Sequence, residues 1–204
     1  MTFFPPDPEG SAIDEPSQQE QPRWWGPPDD EVPALLPARQ LLAATEHAAV
    51  ALVGALVHRE GIALRVERRL RRRDLPTRDW QRLVTEFMEH GMFGETEDRA
   101  GRLRFGVVLG DGERVLDSRP FDPGMDPDAQ PQHHVLTRSG GSGGGGDRAY
   151  SGSESLWLWP LPPEGPVELV MQWPALGMGE ARAVLDGTRM RELATEVVPL
   201  WPEP

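Results

Sequence analysis

The densest group of side chains able to recognise a ligand is an arginine run in the first half of the chain. Six of the nine residues from 65 to 73 are Arg, and only Glu67 offsets their charge. Guanidinium groups bind carboxylates and phosphates through paired hydrogen bonds and stack on aromatic rings. The members of this run that we predict to bind a partner are Arg68, Arg69, Arg71, Arg72 and Arg73.

Three interpretations of the arginine run stay open at the level of sequence. It is typical of a solvated strand face, where charges also discourage strands from pairing edge to edge. The run also has the composition of a binding surface for an acidic partner protein or for RNA. In the third interpretation the acidic N-terminus covers the run within the same chain, because a flexible tether raises the effective concentration of the tethered group.

Tryptophans are the second set of candidate contact residues. Trp24 and Trp25 lie in a polar stretch, which indicates either a short partner-docking motif or a segment that folds back on the domain. Trp157 and Trp159 are two residues apart, so they share one face of a strand. Facing inward they belong to the core, and facing outward they form an aromatic platform for a partner or for a second copy of the chain.

Motifs for catalysis and for metal or cofactor binding are missing from the chain. There is no Cys, which excludes disulfides, thiolate metal sites and a cysteine nucleophile. There is no Lys either, so a phosphate-binding loop lysine is excluded, and the glycine tract 140–146 is followed by Asp147. The pattern Gly-x-Ser-x-Gly occurs only inside the glycine tract, at 140–144, which has the composition of a linker and not of a nucleophile elbow on a strand-to-helix turn. We therefore predict no catalytic residue, no metal ligand and no cofactor.

The segment 118–154 supports an alternative prediction, a small enzyme or an inactive relative of one. It contains the adjacent His133 and His134 and several Asp, and loops of this length are often functional. Convergence of these groups in one pocket would favour the enzyme. A splayed loop would favour a non-enzymatic interaction or scaffold module, which is our leading prediction.

Charge and composition narrow the class of partner and the compartment. The net charge of −12 repels phosphates, so nucleic acid is an unlikely partner and an RNA-binding domain is the weaker alternative. The longest apolar stretch, 48–57, is too short to cross a bilayer, and the N-terminus lacks a signal peptide. These features predict a cytoplasmic protein with no membrane contact. All 21 basic residues are Arg and no Asn occurs, which indicates a GC-rich bacterial genome.

The chain divides into a tail and a single domain. Residues 1–33 hold eight acidic residues and one Arg among many prolines, so we predict a disordered tail. Residues 34–202 are predicted to form one domain, interrupted by a long flexible loop at 118–154 that contains the glycine tract.

Periodicity predicts the elements of that domain. Alternation from residue 62 to 71 indicates a strand that pairs with its predecessor around Gly61. Residues 77–91 have the spacing of an amphipathic helix, and Asp111-Gly112 indicates a hairpin turn. Asp186 is placed to cap a short C-terminal helix. Together these elements predict a mainly β fold, an antiparallel β-sandwich with one inserted amphipathic helix and a short C-terminal helix.

One resemblance adds to these predictions. The sequence Trp-Leu-Trp-Pro-Leu-Pro-Pro-Glu-Gly-Pro from residue 157, followed by Trp-Pro-Ala-Leu-Gly ending at 177, resembles a family of uncharacterised actinobacterial proteins. The segment 105–112 and the glycine tract are similar as well. The resemblance spans roughly residues 33–202 and implies a compact β domain, but no activity and no site residue.

Overall fold

The structure, a computed structural model, describes residues 21–92, 101–118 and 129–201. Within these residues the chain forms twelve strands and two α-helices. This confirms the predicted mainly β fold with one inserted helix and a short C-terminal helix. Residues 1–20 of the predicted tail lie outside the described residues.

The elements follow one another in this order. The strands are β1 (Glu31–Val32), β2 (Ala34–Leu36), β3 (Gln40–Ala44), β4 (Ala48–Val57), β5 (Ile62–Arg71), β6 (Arg104–Val108), β7 (Arg114–Ser118), β8 (Val135–Gly145), β9 (Ala149–Trp159), β10 (Pro166–Trp173), β11 (Met178–Asp186) and β12 (Val198–Pro199). The helices are α1 (Thr77–Met92) and α2 (Gly187–Ala194), and a 3-10 turn spans Pro174–Leu176.

A single curled sheet of ten strands forms the body of the described structure. Its order is β11-β10-β6-β7-β8-β9-β5-β4-β2, and β3 also pairs with β4. Neighbours are antiparallel except for the short parallel pair of β7 and β8. The side-chain amide of Gln40 on β3 donates to the carbonyl of Arg182 on β11 at 3.3 Å, so opposite ends of the sheet approach each other. The two layers of the predicted sandwich are therefore two halves of one sheet.

Strand alternation produces the core on the inner side of this sheet. On β5, Leu64, Val66 and Leu70 are buried, while Arg65 and Arg69 are exposed. Such period-two patterning places every second side chain on the same face. The predicted pairing around Gly61 is confirmed, because β4 and β5 are antiparallel neighbours from 48–57 to 62–70.

Both helices contribute to the same core. In α1, Trp80 and Phe87 are buried, and the Phe87 ring stacks on Trp173 with 6.0 Å between the centroids. A carboxylate oxygen of Asp186 accepts a hydrogen bond from the backbone N–H of Arg189 at 3.1 Å, which confirms the predicted cap of α2. The predicted Asp111-Gly112 hairpin is confirmed as well, with β6 and β7 on either side of it.

The prediction of a long flexible loop at 118–154 is wrong for residues 135–154. There β8 and β9 form an antiparallel hairpin that is paired over most of its length. At some positions of this hairpin, glycine permits close packing. A Cβ at Gly141 would lie 2.9 Å from the carbonyl oxygen of Ser153, and one at Gly152 would lie 3.3 Å from the Phe87 ring. Composition alone does not distinguish glycine in close packing from glycine in a flexible loop.

Residues 21–33 also differ from the predicted disordered tail. They lie against the outer side of the sheet, and β1 pairs with β12. The carbonyl of Arg23 accepts a hydrogen bond from the Trp157 indole at 2.9 Å. The prediction failed because short polar segments become ordered when the folded domain supplies tertiary contacts that a local composition rule does not include.

Within the described residues, neither helix combines the length and the apolar composition that a membrane-spanning helix needs.

The close packing at Gly61 gives a test of the β4–β5 turn. A Cβ at this position would lie 2.7 Å from both the carbonyl of Leu158 and the Trp157 ring. We expect Gly61→Ala to lower the free energy of unfolding by about 1–3 kcal/mol, measured by urea denaturation. The matched control is Gly179→Ala, where no heavy atom lies within 4 Å, and its effect should stay within about 0.5 kcal/mol. Equal effects of the two variants would contradict the packing seen here.

Candidate functional site

Arg68, which was predicted to bind a partner, faces the interior instead. It is only 4% exposed. Its guanidinium lies 2.8 Å from a carboxylate oxygen of Glu154 and donates to the carbonyl of Phe87 in α1 at 3.1 Å. The correction follows from strand alternation, since residues 64, 66, 68 and 70 of β5 point inward.

Arg68 belongs to a network of four charges, in which Arg68 and Glu154 are buried and Arg138 and Asp117 are partly buried. Glu154 also faces Arg138 at 3.6 Å, and Arg138 pairs with Asp117 at 2.6 Å. Two guanidinium groups thus balance two carboxylates. Burial lowers the pKa of Arg68, and the nearby Glu154 opposes that shift. Sequence reasoning missed this network, although a charged Glu154 on the inward side of an otherwise apolar strand was a signal for it.

Aromatic rings and helix α1 complete the surroundings of this network. The Arg68 guanidinium lies 4.6 Å from the centroid of the Phe87 ring and 5.6 Å from that of Trp173. Arg138 lies 5.3 Å from the Phe105 ring. Cation–π attraction is strongest where water is excluded, so the rings help to hold both cations in the interior.

The exposed part of the arginine run lies on the outer face of β5. We call this outer surface the arginine–serine face, and it consists of Arg65, Glu67, Arg69, Arg71, Ser142, Ser151 and Ser153. In register, Arg69 is opposite Ser151 on β9, and Ser153 is opposite Ser142 on β8. The hydroxyl oxygens of Ser142 and Ser153 are 2.9 Å apart. The guanidinium groups therefore lie beside small residues, serine and glycine, on the neighbouring strands β9 and β8.

The arginines of this face differ in how far their charge is already neutralised. The guanidinium of Arg65 makes no hydrogen bond or ion pair with any residue that the structure describes, although its backbone is paired with β4 and β9. The Arg71 guanidinium donates to the backbone carbonyl of Glu46 at 2.7 Å. Because that carbonyl carries no net charge, the bond does not neutralise the positive charge of Arg71. Arg69 pairs with Glu67 on the same strand. Hence Arg65 and Arg71 are the more available cations.

Arg72 and Arg73 lie beyond the end of β5, in the turn that leads to α1. Arg72 donates to the carbonyl of Leu75 at 3.0 Å and to the hydroxyl of Thr77 at 2.8 Å. Arg73 has a φ of 45°, in the left-handed region, and its guanidinium lies 3.9 Å from Glu46. The hydrogen bonds of Arg72 thus stabilise the entry to the helix, and the charge of the exposed Arg73 is paired with Glu46.

The predicted aromatic platform is not exposed. Trp157 is 0% exposed and Trp159 is 6% exposed, and with Ala63 they form a second apolar cluster on the outer side of β5 and β9. Trp24 covers this cluster, with 6.0 Å between its ring centroid and that of Trp159. Trp24 and Trp25 lie in the segment that folds back on the domain. The surface predicted for a partner or a second copy is therefore filled by the chain itself.

A buried hydrogen bond between His58 and Glu31 holds the other end of this N-terminal segment. His58 Nδ1 lies 3.0 Å from a carboxylate oxygen of Glu31, and both side chains are buried. The same oxygen accepts from the backbone N–H of Arg59 at 3.1 Å. Burial lowers the pKa of His58, and the hydrogen bond and charge of Glu31 partly offset that effect. The His58 ring also meets Trp157 edge-on at 5.3 Å.

The groups of the predicted enzyme alternative come together only in part. His134 Nδ1 lies 2.6 Å from a carboxylate oxygen of Glu113, beside an open groove that is also lined by Asp111, Glu164 and Arg191. His133 is exposed. Among the described residues, no group of three His, Asp or Glu side chains is placed to hold a metal ion. The aspartates at 122, 126 and 128 lie outside the described residues.

Comparison with protein-family models, with curated proteins and with solved structures gives no match to this chain. The resemblance to an actinobacterial family stays a prediction.

The buried network gives a prediction about stability. Replacement of Glu154 by Ala leaves Arg68 without a partner carboxylate, and loss of one partner of a buried pair costs about 3–5 kcal/mol. We expect that loss in urea unfolding. The control is Glu168→Ala, which breaks the exposed pair with Arg182 and should cost less than about 1 kcal/mol.

A second comparison separates charge balance from packing in this network. The double variant Arg68→Met with Glu154→Leu should be more stable than Glu154→Ala, because no uncompensated charge stays beside Phe87. A double variant less stable than the single one would contradict the charge-balance argument.

The lowered pKa of His58 gives a prediction about pH. In the unfolded chain this imidazole takes up a proton below its ordinary pKa of about 6.5, whereas in the folded protein it does so only at lower pH. The folded state therefore loses stability as the pH falls below about 6.5. We expect His58→Gln to weaken this pH dependence in thermal unfolding between pH 7 and pH 5. The exposed control His133→Gln should leave it unchanged, and identical profiles for the two variants would contradict the prediction.

Proposed function

We propose that this chain is a non-enzymatic protein-interaction module that binds an acidic segment of a partner protein on the arginine–serine face. The observation that carries the proposal is the projection of Arg65, Arg69 and Arg71 from one strand face of a chain whose net charge is −12. A local cationic face on an acidic molecule favours an acidic partner in one orientation, since the remaining surface repels it.

Two exposed arginines outside the face, Arg182 and Arg189, are already neutralised by neighbouring carboxylates, whereas Arg65 is not. Arg182 lies 2.6 Å from Glu168 and 2.8 Å from Glu180. Arg189 lies 2.8 Å from Glu192 and also pairs with Glu196. A carboxylate from outside would have to compete with these neighbours. At Arg65 it meets no such competitor among the described residues.

The shape of the face supports an extended partner segment. Across β9 and β8, the outward positions beside the arginines are held by Ser and Gly, so a peptide backbone can approach closely. Alternate residues on a strand are about 6.6 Å apart. Carboxylates at every second or fourth position of an extended partner segment would therefore match the spacing of Arg65, Arg69 and Arg71.

Location is part of the proposal. The cysteine-free composition supports a reducing compartment, and we assign the module to the bacterial cytoplasm.

Binding of a defined acidic peptide tests the proposed function. The probe is a fluorescein-labelled peptide of alternating Glu and Ser, followed by fluorescence anisotropy. Joint replacement of Arg65, Arg69 and Arg71 by Gln should weaken binding about tenfold, since three exposed ion pairs together contribute roughly 1–2 kcal/mol. The control replaces Arg114, Arg182 and Arg189 by Gln, which changes the net charge equally and should leave the affinity nearly unchanged.

Three outcomes would overturn the proposal. The first is an equal loss of affinity in the two triple variants. The second is the absence of peptide binding even after the acidic residues among positions 1–20 are replaced by amides, which removes any competing carboxylate of the chain itself. The third is tighter binding of a single-stranded RNA than of the peptide, with the steep salt dependence of phosphate contacts, which would favour the RNA-binding alternative.

A further inference from the structure

We infer that residues 1–20 of this chain occupy the arginine–serine face as an intramolecular acidic ligand, so that a partner has to displace them. The inference rests on the proposed function, because the partner and these residues would use the same face. Three observations support it: the place where the described chain begins, the charge of the segment and its length.

The described chain begins on the same outer side of the sheet that carries the arginines. The carbonyl of Arg23 accepts from the Trp157 indole, and Trp24 packs on Trp159. These tryptophans share their cluster with Ala63 of β5. Arg65 lies two residues after Ala63, on the same face of that strand. The described chain therefore begins, at residue 21, next to the Arg65 end of the arginine–serine face.

Charge complementarity identifies the occupant. Residues 1–20 contain five acidic residues and no basic one, namely Asp7, Glu9, Asp14, Glu15 and Glu20. The guanidinium of Arg65 has no partner among the described residues, and that of Arg71 donates to a backbone carbonyl. A carboxylate from this segment would neutralise a positive charge that the described neighbours of Arg65 and Arg71 leave unpaired.

The length of the segment is sufficient. Arg71 lies eight residues beyond Ala63 on β5, a distance of about 26 Å along the strand. A chain of twenty residues spans up to roughly 66 Å when extended, so it reaches every arginine of the face with slack. Tethering at Arg23 and Trp24 gives an effective concentration in the millimolar range. Even weak ion pairs are populated under that condition.

Paramagnetic NMR tests the contact directly. The chain has no Cys, so Ser11→Cys creates a single site for a nitroxide label. We expect selective broadening of the amide signals of Arg65, Arg69, Ser151 and Ser153, and none at Val184 on β11. The broadening should disappear in the variant with Arg65, Arg69 and Arg71 replaced by Gln, and in 1 M salt, where the Debye length is about 3 Å.

Opposite results would overturn the inference. Broadening that is absent, uniform over the surface or unchanged in the triple Gln variant would exclude the arginine–serine face as the binding site. A mixture of spin-labelled protein with isotope-labelled, unmodified protein distinguishes the intramolecular contact from exchange between two copies. Broadening of equal strength in that mixture would assign the contact to a second copy and reject the intramolecular one.

The peptide titration shows the functional consequence. Replacement of Asp7, Glu9, Asp14, Glu15 and Glu20 by the matching amides should raise the affinity for the acidic peptide about tenfold, because the tethered competitor is removed. The control replaces the same number of exposed or half-buried glutamates elsewhere, Glu164, Glu168, Glu180, Glu192 and Glu196, by Gln. An equal rise in the control would attribute the effect to net charge and overturn the inference.

The two experiments separate failure of this inference from failure of the proposed function. Peptide binding that depends on Arg65, Arg69 and Arg71, without selective broadening from the label at position 11, contradicts the intramolecular contact alone. Selective broadening could also occur while the variant with amides at positions 7, 9, 14, 15 and 20 fails to bind the peptide. That result contradicts the proposed partner class and leaves the intramolecular contact standing.

Discussion

Charge balance in the interior is the constraint on which the rest of this structure depends. Arg68, Glu154, Arg138 and Asp117 come from four adjacent strands, β5, β9, β8 and β7. The parallel contact between β7 and β8 pairs only two residues of each strand, so the Arg138–Asp117 pair adds a side-chain link at that narrow junction. Arg68 also donates to the carbonyl of Phe87, which ties helix α1 to the sheet. Removal of Glu154 would leave Arg68 buried and uncompensated, and removal of Arg138 would leave Asp117 without its partner.

The same network determines which surface faces outward. A strand that slips by one residue exchanges its two faces completely. With Arg68 held inward by Glu154, the residues at 65, 69 and 71 have to point outward, and Ser151 and Ser153 follow on β9. The arginine–serine face is thus the outer side of a strand whose register the buried ion pair helps to select. At the other end of β9 and β5, Trp24 and the Glu31–His58 pair hold the N-terminal segment over Trp157 and Trp159.

Local sequence patterns were sufficient to predict most of the secondary structure, because each pattern depends on only a few neighbouring residues. Alternation on β5, helical spacing in α1, the Asp111-Gly112 turn and the Asp186 cap were all recognisable before the structure. The glycine tract was misread because glycine permits both mobility and close backbone approach. The ordered residues 21–33 were misread because their ordering comes from contacts with β5 and β9, more than a hundred residues away in the case of Trp157.

The sequence by itself determined the mainly β class, the element boundaries near Gly61 and Asp186, the acidic net charge and the presence of a dense arginine run. It could not divide that run into buried and exposed members, since Arg68 and Arg69 are chemically identical and adjacent. Only the tertiary structure made that division, by placing Glu154 opposite the inward side of β5. It likewise decided that Trp157 and Trp159 are core rather than platform. The physical reason is the same in both cases: the burial of a charge or an indole depends on what lies across the sheet, and strand pairing brings those groups together from distant parts of the chain.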